Sequence, residues 1–198
     1  NPEELPESFA LKFNKEGGKN IICPDINASD RTEIIRKAKK WFQGEMAAAT
    51  GELQYRRSKP VIICERYLRP ESGLLPNDYK VFCNNGIANI MLICFDREHG
   101  LKLKFVDKNY QDMHYENEVH GGGILPNKPV NFQKMFEIAQ VLSKPFPHVR
   151  VDFYEIDGKI IFGEMTFTTQ GGIINYITEK GLLEMGDMLT LKMKVGSK

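Results

Sequence analysis

The segment from Val149 to Thr166 constrains the fold more than any other stretch of the chain. Val149-Arg150-Val151-Asp152-Phe153-Tyr154 and Lys159-Ile160-Ile161-Phe162-Gly163-Glu164-Met165-Thr166 read as strands, and Asp157-Gly158 between them is a strong hairpin turn signal. Side chains alternate across a strand, so Arg150, Asp152 and Tyr154 share one face of the first, and Glu164 and Thr166 share one face of the second. Carboxylates brought together on neighbouring strands repel unless something positive lies between them. A hard divalent cation meets that need: Mg²⁺ takes one or two carboxylates and leaves its other positions to water and phosphate oxygens. Arg150, on the same face as Asp152, then reaches a phosphate or an oxyanion.

Register decides whether the carboxylates meet. A two-residue turn sets Ile156 opposite Lys159 and puts Asp152 and Glu164 on opposite faces. A three-residue loop, or one bulge, sets Ile156 opposite Ile160 and brings Asp152 opposite Glu164. The second arrangement is the expectation, against the plainer alternative of a hairpin whose polar face is merely wet.

A chain of 198 residues is long enough for one domain, or two small lobes, with a real core. Its net charge of +1 makes no electrostatic case for nucleic acid or an anionic membrane. No segment approaches the ~20 apolar residues that cross a bilayer, and no signal peptide opens the sequence, so a cytoplasmic protein is expected. Cys23, Cys64, Cys83 and Cys94 lack C-x-x-C spacing and read as buried free thiols rather than disulfides or zinc ligands. His99, His114, His120 and His148 show no ligand pattern and receive no role. Nothing in the sequence bears on oligomeric state.

Phe9–Phe13 reads as a strand that enters a polar glycine loop over 14–20 and returns around Ile21-Ile22-Cys23. Asp30 and Glu33 form a capping box for an amphipathic helix over 30–43. Pro60 to Leu68 reads as a buried strand with a polar end, and 69–78 as a boundary between lobes. Strands follow near 79–84, 88–95 and 101–106, with a turn at Asn84-Asn85-Gly86. Residues 107–128 read as a long loop whose Gly121-Gly122-Gly123 is a flexible link. Asn131 caps a helix that Pro145 ends, and a weaker helical pattern spans 178–192.

Lys12 with Gly17 and Gly18 pairs a cation with exposed backbone N–H groups, as phosphate cradles do, although a glycine-bearing hairpin with solvated lysines is the commoner source of that pattern. Glu65 through Leu68, Tyr67 included, end an apolar strand and offer backbone groups and apolar surface to a flat ring. Asp78 and Lys80 share a face and reach a ribose and a phosphate, or are surface charges.

Taken in order, Lys12 and its glycine loop, Glu65-Arg66-Tyr67-Leu68, Asp78-Tyr79-Lys80, Arg150-x-Asp152 and Glu164-x-Thr166 resemble the ATP-grasp superfamily. Leu5 to Lys12, Glu71 to Lys80 and Phe146 to Asp152 are similar to the TupA-like ATP-grasp proteins, a branch associated with bacterial surface-polysaccharide biosynthesis. The resemblance implies an α+β fold, with 1–68 as a small lobe carrying the phosphate loop and 69–198 as a large lobe carrying the metal hairpin, clasping ATP between antiparallel sheets. It implies Lys12, Gly17 and Gly18 on the phosphates, Glu65, Tyr67 and Leu68 at adenine, Asp78 at the ribose, and Mg²⁺ on Asp152, Glu164 and Thr166. Arg150 and Lys80 become the catalytic candidates.

The implied chemistry is phosphate transfer from ATP to a carboxylate of a small-molecule or polysaccharide-precursor substrate, then attack by an amine. A sugar or polyol kinase and a catalytically incomplete nucleotide-binding module are the alternatives. The sequence departs from the family in carrying Thr166 where Asn is usual and Lys15-Glu16-Gly17-Gly18 where His-Gly-Ser-Gly is common. The domain that usually precedes this pattern in the family is not recognised in the sequence, which leaves open either a fragment of a longer protein or a catalytically incomplete one.

Overall fold

The computed structural model describes residues 4–15, 17–43, 57–69, 71, 73 and 75–191. Glu16 of the glycine loop, Pro70, Ser72 and Leu74 of the 69–78 stretch, and residue 192 at the end of the last helical pattern lie outside the described residues. Two compact units make up the chain, Asn1–Leu68 with Gln170–Gly172, and Arg69–Thr169 with Ile173–Lys198.

In the first unit β1 (Phe9–Phe13), β2 (Asn20–Cys23) and β3 (Ile62–Arg66) form an antiparallel sheet in the order β2-β1-β3, and α1 (Arg31–Lys40) continues into a 3-10 turn at Trp41–Gln43. Phe9 and Leu11 of β1 pack with Cys23, Ile26, Ile34 and Ala38, so the apolar stripe of α1 closes over one sheet face. Asp30 caps α1 by accepting from the Glu33 N–H at 3.0 Å. The reciprocal half of the capping box is absent, because the Glu33 carboxylate takes the Arg36 guanidinium at 2.5 and 2.6 Å instead. β3, expected to be buried, is an edge strand paired only with β1, and it leaves Ile63 and Cys64 exposed.

The second unit holds β4 (Asp78–Asn84), β5 (Ile87–Phe95), β6 (Lys102–Val106), α2 (Phe132–Ser143), β7 (His148–Ile156), β8 (Lys159–Thr166) and α3 (Glu179–Asp187). Its five strands form one antiparallel sheet ordered β6-β5-β4-β7-β8. Alternation sorts the two faces. Val81, Met91, Ile93, Val151 and Phe153 bury against Phe132, Met135, Phe136 and Ala139 of α2. Opposite, Phe82, Ile90, Leu92 and Phe105 pack under Tyr115 and Ile177, and this second face carries Asp78, Lys80, Arg150 and Asp152.

Asn131 precedes α2 but makes no side-chain cap; its amide donates to the Gly158 carbonyl at 2.9 Å. Glu155 of β7 takes the capping role. Its carboxylate accepts from the Val130 and Asn131 N–H groups at 3.1 and 2.8 Å, where the helix dipole favours negative charge. The 107–128 segment has no helix and only two isolated bridges, Val106 to Asp112 and Glu116 to Ile177. Two of its three glycines are tightly surrounded: a Cβ on Gly123 would meet the Phe95 ring at 2.8 Å, and one on Gly121 the Asn117 carbonyl oxygen at 3.0 Å, whereas Gly122 is left-handed at φ 82° with open space around it. All four cysteines are free; three are buried and Cys64 is not. No described helix is long and apolar enough to cross a membrane.

The β7–β8 hairpin corrects the expected register. Asp157 (φ 50°) and Gly158 (φ 73°) make a two-residue turn with both residues left-handed, so Ile156 pairs with Lys159 and not with Ile160. Parity then reverses farther along. Phe153 pairs with Phe162 but Val151 pairs with Met165, which leaves Gly163 and Glu164 together against Asp152 in a bulge. Gly163 suits that position because a Cβ there would lie 3.1 Å from the Asp152 carbonyl oxygen. Gly163→Val is therefore expected to cost about 1–3 kcal/mol in urea denaturation; an unchanged midpoint would mean that the bulge has room to spare.

Candidate functional site

On the face of the five-stranded sheet away from α2, six charged side chains form one network. Lys80 on β4 and Asp152 on β7 are directly opposite one another, and the Lys80 ammonium donates to Asp152 Oδ2 at 2.6 Å. It also pairs with Asp78 Oδ2 at 2.7 Å, two residues along the same strand face. Arg97, just beyond β5, adds a second cation at Asp78 Oδ2, 2.9 Å away. Arg150 grips Asp152 with a fork, Nε to Oδ1 and Nη2 to Oδ2, both at 2.7 Å.

The bulge delivers the last members. Arg150 pairs with Thr166 across the strands, and its Nη2 also donates to Thr166 Oγ1 at 3.0 Å and Glu164 Oε1 at 3.2 Å. The Thr166 hydroxyl in turn donates to Glu164 Oε1 at 2.9 Å. One cationic nitrogen thus sits among oxygens from Asp152, Glu164 and Thr166. These are hard oxygen donors of the kind Mg²⁺ takes, gathered around a positive charge. The charge that separates the carboxylates here is the guanidinium itself. Asp152 is 3% exposed at its side chain, whereas Glu164 is 64% exposed and leans to solvent.

Burial penalises both cations, yet the carboxylates outweigh it. The Lys80 ammonium is pushed above its ordinary range by Asp152 and then Asp78, and the Arg150 guanidinium is pushed up chiefly by Asp152. Asp78 holds its Oδ2 between Lys80 and Arg97, and its Oδ1 is buried without a hydrogen-bond partner. An orphaned carboxylate oxygen is costly, and it marks a place where a donor from a bound molecule is favourable.

In the first unit, the Lys12 ammonium pairs with Glu65 Oε2 at 2.7 Å across β1 and β3, both side chains partly exposed. Gly17 and Gly18 lie in the β1–β2 turn with open space around them; Gly18 is left-handed at φ 80°, and Asn20 N–H donates to its carbonyl at 3.0 Å. Tyr67 and Leu68 follow β3 and are half-buried.

Sequence reasoning missed Arg97, Tyr176 and His148. Arg97 was detectable, since the β4–β5 hairpin pairs Asp78 with Cys94 and so returns the chain end to the acid. Tyr176 stacks on Phe105 on the charged face, with a phenol raised by burial. His148 shares the Arg150 face, bonds Asn84 Oδ1 through Nδ1 at 2.7 Å, and is held below its usual range by burial and then by Arg150.

Comparison with known proteins adds one match. A family model described as TupA-like ATPgrasp covers residues 1–190 of the chain. No curated protein matches it. ATP-dependent, ligase-type chemistry is the general activity of ATP-grasp proteins, and the two antiparallel sheets with flanking helices agree with that family's α+β architecture. The chain belongs to the TupA-like ATP-grasp family.

Proposed function

We propose that this protein is a Mg-ATP-dependent carboxylate–amine ligase, acting in the cytoplasm on a precursor of a cell-surface polysaccharide. The observation that carries the reading is the meeting of Asp152, Glu164 and Thr166 oxygens at one Arg150 nitrogen, 2.7, 3.2 and 3.0 Å away. Asp152, Glu164 and Thr166 would hold Mg²⁺, which supplies charge neutralisation for the phosphate tail when bound.

Arg150 binds oxygens of the transferring phosphoryl group, for which its fork geometry is suited. Lys80 keeps Asp152 and Asp78 in place and adds positive charge where the transition state gains negative charge. Lys12 and the Gly17 and Gly18 amides bind the phosphate tail; Glu65, Tyr67 and Leu68 receive the adenine; Asp78 takes the ribose.

A substrate carboxylate oxygen attacks the γ-phosphorus, the bond to the bridging oxygen breaks, and ADP leaves. An amine then attacks the acyl carbon of the resulting acyl phosphate, and inorganic phosphate leaves as the amine gives up a proton. The protein's part is positioning and electrostatic stabilisation, with no covalent step on a side chain.

Four measurements test the reading. Glu164→Gln changes an exposed side chain, so turnover should fall by about 100-fold or more while the melting temperature holds. Asp152→Asn also strips two buried cations of their counter-charge and should cost about 3–5 kcal/mol of stability besides turnover. Wild-type ADP release in Glu164→Gln would remove that carboxylate from the site.

Lys12→Ala should weaken ATP binding by calorimetry about tenfold, the loss of one charge-assisted contact; an unchanged dissociation constant would exclude Lys12. Incubation with Mg-ATP, hydroxylamine and a panel of amino acids and sugar acids should trap a hydroxamate. A phosphorylated hydroxyl instead would make the protein a kinase, and no ADP release with any acceptor would make it a binding module.

A further inference from the structure

Asp112, His114 and Glu116 alternate along the segment after β6, at the sheet edge opposite β8. One donor atom from each lies within 4.8 Å of the other two. Lys104 of β6 takes one oxygen of each carboxylate, Asp112 Oδ2 at 2.7 Å and Glu116 Oε1 at 2.7 Å. Asp112 Oδ1 accepts from the His114 N–H at 3.0 Å and lies 3.4 Å from His114 Nδ1. Glu116 Oε2 is buried with no hydrogen-bond partner, on a side chain 5% exposed.

Leaving a buried carboxylate oxygen unpaired costs about 1–3 kcal/mol or more. The single Lys104 ammonium also leaves the two carboxylates with an unbalanced negative charge. Both deficits call for a cation on the side of the carboxylates that Lys104 does not occupy. The spacing of Asp112 Oδ1 and His114 Nδ1 suits two ligands each about 2.0–2.1 Å from a tetrahedral ion. A donor set of one imidazole and two carboxylates selects a borderline transition ion over Mg²⁺, which prefers oxygen alone and octahedral geometry.

We propose that Asp112, His114 and Glu116 bind a divalent transition ion, zinc in the first instance, at a site separate from the Arg150 cluster. The ion ties down the segment that carries Tyr115 into the core and bridges to Ile177 through Glu116. Its role is structural: it stabilises the wall of the charged face rather than reacting there.

The test uses the full chain freed of metal and titrated with Co²⁺ and Zn²⁺. Wild type should bind one Co²⁺ with visible absorption of a tetrahedral centre, and Zn²⁺ should displace it and raise the melting temperature. His114 is 76% exposed, so His114→Ala should leave the fold intact. Its Co²⁺ affinity should fall about 100-fold, since even the loss of an outer-shell contact costs about 10–100-fold. The tetrahedral Co²⁺ absorption should survive in Glu164→Gln, which removes a ligand only from the separate Mg²⁺ cluster of the proposed function. No Co²⁺ binding by wild type, or a His114→Ala affinity within tenfold of it, overturns the proposal; so does a loss confined to Glu164→Gln.

Discussion

One extra residue in β8 decides which side chains meet on the charged face. From the two-residue turn at Asp157-Gly158, strict pairing would carry Glu164 to the face that packs on α2 and push Met165 out to the other. The bulge at Gly163-Glu164 reverses that parity, so Met165 packs with the α2 core while Glu164 and Thr166 join Arg150 and Asp152. Core and site therefore impose the same demand on one strand. A carboxylate forced into an apolar layer would be costly, and the apolar layer itself holds the register that the site needs.

With that register in place, the charges on the face balance among themselves. Asp78, Asp152 and Glu164 are met by Lys80, Arg97 and Arg150, most of them well buried. A self-neutralised cluster keeps its geometry without a ligand, because breaking any one buried pair leaves an uncompensated charge. Under the proposed function, a phosphate tail and its cation would have to displace carboxylate partners of Arg150 and Lys80.

Much of this was legible in the residues. Period-two alternation marked β7 and β8, Asn85-Gly86 and Asp157-Gly158 marked the turns, and Arg150-x-Asp152 with Glu164-x-Thr166 marked side chains that share one charged face. What stayed hidden depended on partners distant in sequence. The bulge follows from where Met165 must pack, which no local pattern states. Asn131 looked like a cap by its type, yet the acid that caps α2 is Glu155, supplied by a strand 24 residues downstream. Lys80 and Asp152 are 72 residues apart and meet only through the β4–β7 pairing. Asp112-x-His114-x-Glu116 was in plain view, but strand-like alternation was not the spacing sought for histidine ligands.

The distribution of thiols has a practical side. Cys94 sits on the charged face, and burial pushes its thiol up to about 11; Cys83 is likewise about 11, and Cys23 is enclosed by the first unit's core. Cys64, on the edge strand β3 beside Glu65, is the exposed one. A maleimide fluorophore would accordingly attach at a single position without engineering. It would report on the free edge of the first unit's sheet, on the face opposite the Glu65 side chain.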